Sequence, residues 1–260
     1  MNKFAIHIAK YLYNRIEERK FLAIEIFNRV ELKYLLMQAD VDALLPLLSE
    51  KMKSDAYNPG GKTYPISNIY FDTDANELII KSLEKPIYKE KLRLRSYGQV
   101  HDKGERVFLE IKKKFDGLVY KRRSSFSLSE AEQFLKDGII PQSEHVNRQV
   151  LLEIKDLMKR YELKPKVFIS YERLAFFGKD DSDFRLTLDR NILCRREDLF
   201  LDSPVYGKSL LKEGQWLMEA KAFKTFPLWF AHFLSQRKIY KSSFSKYGAE
   251  YAYYKGEQLV

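Results

Sequence analysis

The stretch Lys89-Glu90-Lys91-Leu92-Arg93-Leu94-Arg95-Ser96-Tyr97-Gly98 has the alternation of a β-strand with two unlike faces. Successive side chains of a strand point to opposite faces, so one face would carry four cations: Lys89, Lys91, Arg93 and Arg95. Leu92 and Leu94 would point to the other face and pack against apolar side chains. Neighbouring cations repel one another unless water or a polyanion screens them. Taken alone, this stretch fits a solvated edge strand as well as an anion-binding strand.

The composition limits the class of protein. A chain of 260 residues with 45% hydrophobic and 14% aromatic residues is typical of a globular protein with a sizeable core. The formal net charge of +10 favours polyanionic partners, namely nucleic acid, anionic lipid, nucleotide or inorganic phosphate. The single cysteine, Cys194, excludes an intrachain disulfide and is interpreted as a small buried side chain. No apolar run reaches the length of a membrane span.

The chain is divided into an N-terminal helix over residues 1–26 and one domain over residues 27–256. In the first segment, apolar residues fall at helical spacing: Phe4, Ile8, Tyr11, Leu12 and Ile16. Charged residues interrupt this apolar run, so the segment does not resemble a signal peptide. The preferred interpretation is an amphipathic helix that packs on the chain's own body. A partner or a membrane surface is the alternative.

Strands with one charged and one apolar face recur along the chain. Their charged faces collect Arg29, Glu31, Lys33, Lys89, Lys91, Arg93, Arg95, Glu110, Lys112, Lys121, Arg123, Arg173, Arg185, Asp189, Glu219 and Lys221. An antiparallel barrel wrapped by helices would bury the apolar faces and turn the charged faces into its lumen. A dry lumen with so many cations would be unstable. The sequence therefore predicts an α+β fold: an antiparallel β-barrel, or tunnel, with a wet basic lumen for an extended polyphosphate or a nucleoside triphosphate.

Helices are predicted between these strands. Asp40 is expected to cap a helix that runs to Met52, and the segment Ser129–Glu132 to open another with a capping box. A further helix is expected over roughly 144–161, and the last one over 227–238. The segment that follows is expected to be a tail.

Several other kinds of site are disfavoured. The chain has no Gly-rich P-loop motif, and its four histidines lack metal-ligand spacing: His7, His101, His145 and His232. The aromatic segment from Tyr247 to Tyr254 could stack an adenine, although packing against the barrel end is the preferred interpretation.

A series of short motifs resembles one known family. In chain order they are Arg29-x-Glu31-x-Lys33-Tyr34, Ile69-Tyr70-Phe71-Asp72-Thr73, Lys91-x-Arg93-x-Arg95-x-Tyr97-Gly98, Glu110-Ile111-Lys112, Lys121-x-Arg123, Ser170-Tyr171-x-Arg173, Phe184-Arg185-x-Thr187-x-Asp189, Glu219-x-Lys221 and Ser243-Phe244-Ser245-Lys246-Tyr247-Gly248. Together they are similar to the polyphosphate polymerase domain of the vacuolar transporter chaperone (VTC) proteins, which are triphosphate tunnel metalloenzymes of the CYTH-like superfamily. The resemblance covers about residues 27–254. Each motif alone is unspecific; their order carries the resemblance.

The resemblance implies roles for a subset of the matching residues. Phosphate or nucleotide would be bound by Lys33, Lys91, Arg93, Arg95, Lys112, Lys121, Arg123, Tyr171, Arg173, Arg185, Lys221, Ser245 and Lys246. The catalytic set would be Lys33, Arg93, Arg95, Lys112, Arg173, Arg185 and Glu219. Glu219, with Glu31 as a weaker second ligand, would hold Mn²⁺ or Mg²⁺. Two further carboxylates, Glu110 and Asp189, are expected either to tether arginines or to bind metal.

The implied activity is transfer of the γ-phosphate of ATP to the end of a polyphosphate chain. Such a reaction needs positioning and charge neutralisation and no nucleophilic side chain. Hydrolytic tunnel enzymes are typified by Glu-x-Glu-x-Lys on the first strand, where this chain has Arg29-Val30-Glu31-Leu32-Lys33. That departure favours the polymerase branch. The alternatives are a triphosphate or nucleoside triphosphate hydrolase in the same tunnel and a non-catalytic polyphosphate-binding module. A nucleic-acid partner is disfavoured.

Partners and location follow from the same resemblance. The expected ligands are ATP and inorganic polyphosphate or triphosphate. The expected location is cytoplasmic, with attachment to a membrane through a membrane-protein partner, because membrane-spanning parts accompany the domain in eukaryotic assemblies. A stand-alone enzyme is the alternative. No oligomeric state is predicted.

Overall fold

One large antiparallel sheet organises the protein. The computed structural model describes residues 29–58 and 61–256. The strands are β1 (Arg29–Met37), β2 (Met52–Ser54), β3 (Tyr64–Asp72), β4 (Tyr88–Tyr97), β5 (Arg106–Phe115), β6 (Leu118–Ser127), β7 (Lys164–Gly178), β8 (Arg185–Arg195), β9 (Lys208–Ser209), β10 (Gln215–Phe223) and β11 (Lys241–Ser242). The helices are α1 (Gln38–Lys51), α2 (Glu77–Leu83), α3 (Leu128–Asp137), α4 (Arg148–Tyr161), α5 (Leu228–Gln236) and α6 (Lys246–Tyr254). The predicted helix over residues 1–26 lies outside the described residues.

The sheet is open rather than closed by hydrogen bonds. Its strand order is β11-β1-β10-β8-β7-β3-β4-β5-β6, with β2 added to β7 and β9 added to β8. Within the described ranges no ladder joins β6 to β1 or β11, so both ends of this order remain edges. The α+β class with a dominant antiparallel sheet is confirmed. The prediction of a closed barrel is not confirmed, because a closed barrel has no unpaired edge strand and this sheet has two.

Helices cover the apolar face of the sheet. Leu92 and Leu94 of β4 are buried in one core cluster with Phe134 of α3 and Ile154 of α4. A second cluster combines residues of β8 and β10 with α1 and α5, among them Phe230. Each apolar strand face therefore packs under helices as predicted, and the polar faces are left on the opposite side of the sheet. Cys194 is buried in β8, and burial raises the pKa of its thiol to about 12.

Local hydrogen bonds set the helix ends at different residues from those predicted. Helix α1 begins at Gln38, because the Asp40 carboxylate accepts a hydrogen bond from the Met37 amide at 3.1 Å. The capping box of α3 is formed by Ser127 and Glu130: the Ser127 hydroxyl accepts from the Glu130 amide at 3.2 Å. The Glu130 carboxylate accepts from the Ser127 amide at 2.9 Å. Helix α3 therefore begins earlier than the segment Ser129–Glu132.

The segment predicted as a tail contains helix α6. Ser245 caps it, accepting a hydrogen bond from the Gly248 amide at 3.4 Å. The Tyr247 hydroxyl donates to the buried Asp72 carboxylate at 2.7 Å, and the same carboxylate accepts two backbone amides of α2. These bonds fix α6 against the sheet. No helix in the described part of the chain is both long and apolar enough to cross a membrane.

Candidate functional site

The polar faces of the long strands form one concave surface, here called the inner face. The charged groups that lie near Lys112 on β5 indicate that this surface is curved. Burial lowers the pKa of Lys112, and the carboxylates of Glu31 on β1 and Glu219 on β10 oppose that change. Charges influence each other in this way only when they are close. Strands near opposite ends of the strand order therefore face each other across the inner face.

Glu110 on β5 is the first anchor of the inner face. Its side chain is only 2% exposed, and Nε and Nη2 of Arg93 each lie 2.7 Å from its Oε2. Nζ of Lys121 lies 2.7 Å from Oε1, while Arg95 and Arg123 approach to 3.9 and 4.0 Å. Burial alone would raise the pKa of Glu110, but the neighbouring cations outweigh it and hold the pKa well below its usual range. The buried Glu110 carboxylate is thus surrounded by four cationic side chains.

Asp189 on β8 is the second anchor. Arg173 grips it with two hydrogen bonds, at 2.7 Å from Nε and 2.8 Å from Nη2, and Nζ of Lys246 approaches to 2.6 Å. Burial would raise the pKa of Asp189, and the charges of Arg173 and Lys246 lower it. The Tyr171 hydroxyl accepts a hydrogen bond from Arg95 at 2.9 Å, and the Lys246 ammonium lies 4.3 Å from the Tyr171 ring centroid. Tyr171 therefore connects the two anchored groups.

A third group alternates in charge across β1 and β10. Lys33 lies opposite Glu219, and Glu31 lies opposite Lys221. Lys33 is 3.8 Å from Glu31 and 3.7 Å from Glu219. Lys221 contacts Glu219 and is 3.9 Å from Glu31. Burial would raise the pKa of Glu219, yet Lys221 and Lys33 hold it well below its usual range.

Glu219 and Glu31 are the carboxylates available to a metal ion in this group. Among residues 29–58 and 61–256, no three His, Cys, Asp or Glu side chains are arranged to hold a metal by themselves. Mg²⁺ is commonly bound by one or two carboxylates together with substrate phosphates and water. The pair therefore fits a divalent cation that arrives with a phosphate substrate. Lys33 and Lys221 would then have to move away from these carboxylates.

A row of three lysines crosses β4, β5 and β6. Lys91 lies opposite Lys112, and Lys112 lies opposite Lys121. Directly opposed like charges destabilise a sheet. Only Lys121 has a carboxylate within ion-pair distance among the described side chains. Burial lowers the pKa of Lys91 and of Lys121 to about 8. Lys112 and Lys121 are nevertheless open to solvent, so the row lines a wet cleft rather than a dry core.

Anion binding at this row should take up protons near pH 8.5. Lys91 and Lys121, with pKa values of about 8, are mostly neutral there in the free protein, and a bound polyanion should restore their charge. The binding enthalpy of tripolyphosphate, measured in buffers of different ionisation heat, should reveal this uptake. At pH 6.5 both lysines are already charged, so the buffer dependence from these groups should vanish. Equal proton uptake at both pH values would contradict the conclusion that Lys91 and Lys121 take up the protons.

Three predicted binding residues have further contacts. The Arg123 guanidinium lies 4.8 Å from the Phe108 ring centroid, and that of Arg185 lies 5.0 Å from the Phe177 ring centroid. Arg185 is exposed and lies opposite Lys221. Ser245 uses its oxygen to cap α6. The structure therefore places Arg123 and Arg185 on polar strand faces and Ser245 at a helix end beside Lys246.

Sequence reasoning assigned no role to three polar residues of the inner face, although Tyr70 and Thr187 lie in the quoted motifs. The Asn68 amide oxygen accepts a hydrogen bond from Arg95 at 2.8 Å, and the Tyr70 hydroxyl accepts from Arg93 at 3.3 Å. Burial would raise the pKa of Tyr70, but Arg93 and Arg95 lower it to about 8. The Thr187 hydroxyl is buried without a hydrogen-bond partner in the described part of the protein. Asn68 and Tyr70 are two residues apart on β3 and therefore share a face, which is the signal that could have found them.

The VTC domain model matches residues 28–255, most of the chain. This chain belongs to the VTC domain family. A curated relative, Vacuolar transporter chaperone complex subunit 2 of Saccharomyces cerevisiae, is 27% identical over 157 residues. That match covers 52% of this chain and 19% of the yeast protein, so this VTC domain spans about a fifth of that relative.

One solved structure shares the fold of this VTC domain. A candidate adenylate cyclase from Bacillus halodurans superposes with a TM-score of 0.50 at 16% identity, covering 85% of this chain and 95% of that one. A candidate adenylate cyclase from Vibrio parahaemolyticus gives a TM-score of 0.44 at 13% identity, covering 87% and 98%. At such low identity, the first likeness concerns the fold alone.

Proposed function

We propose that this VTC domain is a metal-dependent polyphosphate polymerase that transfers the γ-phosphate of ATP to a growing polyphosphate chain. The observation that carries the proposal is the opposed row of Lys91, Lys112 and Lys121 beside the two anchored clusters. Such a row lowers stability in the absence of an anion, and a linear chain of phosphates would supply regularly spaced negative charge along it. A single phosphate would neutralise only part of it.

The anchored cations would hold the reacting phosphates. Glu110 and Asp189 fix the guanidinium groups of Arg93 and Arg173, so these donors need little reorganisation when the substrate binds. In the reaction, a terminal oxygen of the polyphosphate chain bonds to the γ-phosphorus of ATP. The bond from that phosphorus to the bridging oxygen breaks, and ADP leaves with that oxygen. Positioning and charge neutralisation suffice for this step.

A divalent cation would be held by Glu219, with Glu31 as second ligand. When bound, Mn²⁺ or Mg²⁺ would neutralise charge on the transferring phosphates. Lys33 and Lys221 keep the Glu219 carboxyl ionised, which preserves it as a ligand.

Hydrolysis in the same cleft is the second candidate function. Lys112 is open to solvent at the centre of the lysine row, so water could reach a bound phosphate and replace the chain end as acceptor. The products would then be free orthophosphate and a shortened phosphate chain or nucleoside diphosphate.

One incubation separates these functions. The purified protein is mixed with ATP and Mn²⁺ or Mg²⁺, with and without a short polyphosphate primer, and the products are resolved on a gel. ADP together with lengthening chains supports a polymerase. Orthophosphate without chains supports a hydrolase. Tight polyphosphate binding without turnover would support a non-catalytic binding module.

Glu219→Gln should separate catalysis from binding. The variant removes one carboxylate charge from the proposed metal ligands and leaves the arginines and the lysine row in place. We expect turnover at a fixed Mn²⁺ concentration to fall at least about tenfold to a hundredfold, with polyphosphate affinity unchanged or higher. Initial rates across a Mn²⁺ titration, together with calorimetric polyphosphate binding, test this. Unchanged rates would remove Glu219 from the metal site.

The partner and location are also proposed. The yeast relative is a subunit of a vacuolar transporter chaperone complex. We infer that this domain acts in the cytoplasm and associates with a membrane through a separate protein partner. Association with membranes only when that partner is co-expressed supports this inference. Attachment without it would contradict it.

A further inference from the structure

Four aromatic rings lie together beyond the arginines of β4; they are Tyr57, Tyr64, Tyr97 and Phe108, here called the aromatic rim. The rings of Tyr57 and Tyr97 are stacked, with centroids 5.7 Å apart and planes 22° apart. Tyr57 also contacts Tyr64 at 5.5 Å, and Tyr97 meets Phe108 edge-on at 5.4 Å. Tyr57 is 57% exposed although Tyr97 and Tyr64 contact it, so much of its ring faces water.

The aromatic rim continues the inner face. Tyr97 follows Arg93 and Arg95 on the same face of β4, about 7 Å beyond Arg95 and about 13 Å beyond Arg93 at the usual rise of a strand. The Arg95 guanidinium lies 5.7 Å from the Tyr97 ring centroid. On the neighbouring strands, Tyr64 lies opposite Arg173. A ligand bound by these arginines can therefore reach the rim with its uncharged end.

A second aromatic group lies on helix α6. Tyr247 is buried and donates its hydroxyl to Asp72, and its ring packs on Tyr70 with centroids 5.0 Å apart. Tyr254 is 55% exposed, and the Arg196 guanidinium lies 3.7 Å from its ring centroid. Tyr247 therefore packs against β3, in agreement with the packing role preferred for this segment. Of these two groups, the aromatic rim is the one that lies beside Arg95 of β4.

We propose that the aromatic rim binds the base of a nucleoside triphosphate by stacking on Tyr57, with the phosphates directed toward Arg95 and Arg93. This inference rests on the proposed function, because it assigns the donor nucleotide a place in the same cleft. The length from the rim to Arg93 is of the order of an extended nucleoside triphosphate. Aromatic stacking tolerates any base, so ATP and GTP should bind alike. Inorganic polyphosphate has no base and gains nothing from the rim.

Tyr57→Ala tests this assignment. The probes are the non-hydrolysable imido analogue of ATP and inorganic tripolyphosphate, each titrated calorimetrically without added divalent cation so that neither turns over. We expect the affinity for the ATP analogue to fall at least about fivefold, with tripolyphosphate affinity changed less than about twofold. Tyr57→Phe should bind both ligands as the unaltered protein does, because the stacking ring remains. Tyr240→Ala is the matched control, since Tyr240 is a 78% exposed tyrosine outside the rim.

The possible outcomes test the base site separately from the proposed polymerase function. A selective loss for the ATP analogue supports the base site. If Tyr57→Ala leaves both affinities unchanged, or lowers both equally, the base site is wrong while the phosphate cleft stands. If the unaltered protein binds neither ligand, either without or with added Mn²⁺, the proposed function fails and the base site fails with it.

Discussion

Replacing Lys91 and Lys112 together by glutamine should weaken polyphosphate binding by about 10²- to 10⁴-fold without destabilising the protein. Each lysine lost removes a charge-assisted hydrogen bond to phosphate, worth about 1.5–3 kcal/mol. In the free protein these two cations oppose each other across β4 and β5, and burial lowers the pKa of both. Their removal therefore relieves repulsion while it removes a binding surface.

The experiment pairs an affinity with a stability. Polyphosphate binding is measured at several salt concentrations, and the free energy of unfolding is measured by urea denaturation without ligand. The dependence of affinity on salt should decrease by about one unit of log–log slope per lysine removed. Lys136→Gln/Lys212→Gln, two exposed lysines away from the inner face, gives the same change in net charge. An equal loss of affinity in that control would assign binding to overall charge and not to this row.

Much of this inner face could be predicted because successive side chains of a β-strand alternate between its two faces. The alternation of charged and apolar residues at Lys91, Leu92, Arg93 and Leu94 is set by backbone geometry alone. The burial of the leucines under helices confirms that reading. The family resemblance adds the order of the strands' charged motifs along the chain, and the VTC domain match confirms the family.

Whether the sheet closes into a barrel, and which side chains meet across neighbouring strands, depends on strand register. The residue pattern within a single strand does not determine that register. A barrel and a curled open sheet have the same alternation along each strand, so the absence of a ladder from β6 to β1 could not be predicted. The sequence also left open whether Glu110 and Asp189 tether arginines. The structure shows Arg93 and Arg173 on those carboxylates. Helix α6 was missed because its aromatic residues and Gly248 obscure an apolar stripe.

Glu110→Gln should have the opposite effect to the lysine pair. The variant leaves the buried Arg95 and the half-buried Arg93 beside a neutral amide. Breaking a buried ion pair from one side costs about 3–5 kcal/mol of unfolding free energy. The sign of the pH dependence follows from the lowered pKa of Glu110. The stabilisation by this carboxylate is fully present above the pKa of the unfolded chain and is lost as pH falls toward the folded value. The stability difference between the two proteins should therefore shrink in acid.

The same substitution should increase the affinity for polyphosphate. In the unaltered protein Glu110 and a bound phosphate compete for the charges of Arg93, Arg95 and Lys121, so removing the carboxylate leaves the ligand as their main counterion. Urea denaturation with and without tripolyphosphate should show a larger ligand-induced stabilisation in Glu110→Gln. Glu153→Gln is the matched control, because Glu153 pairs with Lys113 and Arg122 outside the inner face and is 22% exposed. Loss of both stability and affinity in Glu110→Gln would mean that Glu110 mainly orients its cations for the ligand. A gain in affinity would mean that it mainly substitutes for the ligand when the cleft is empty.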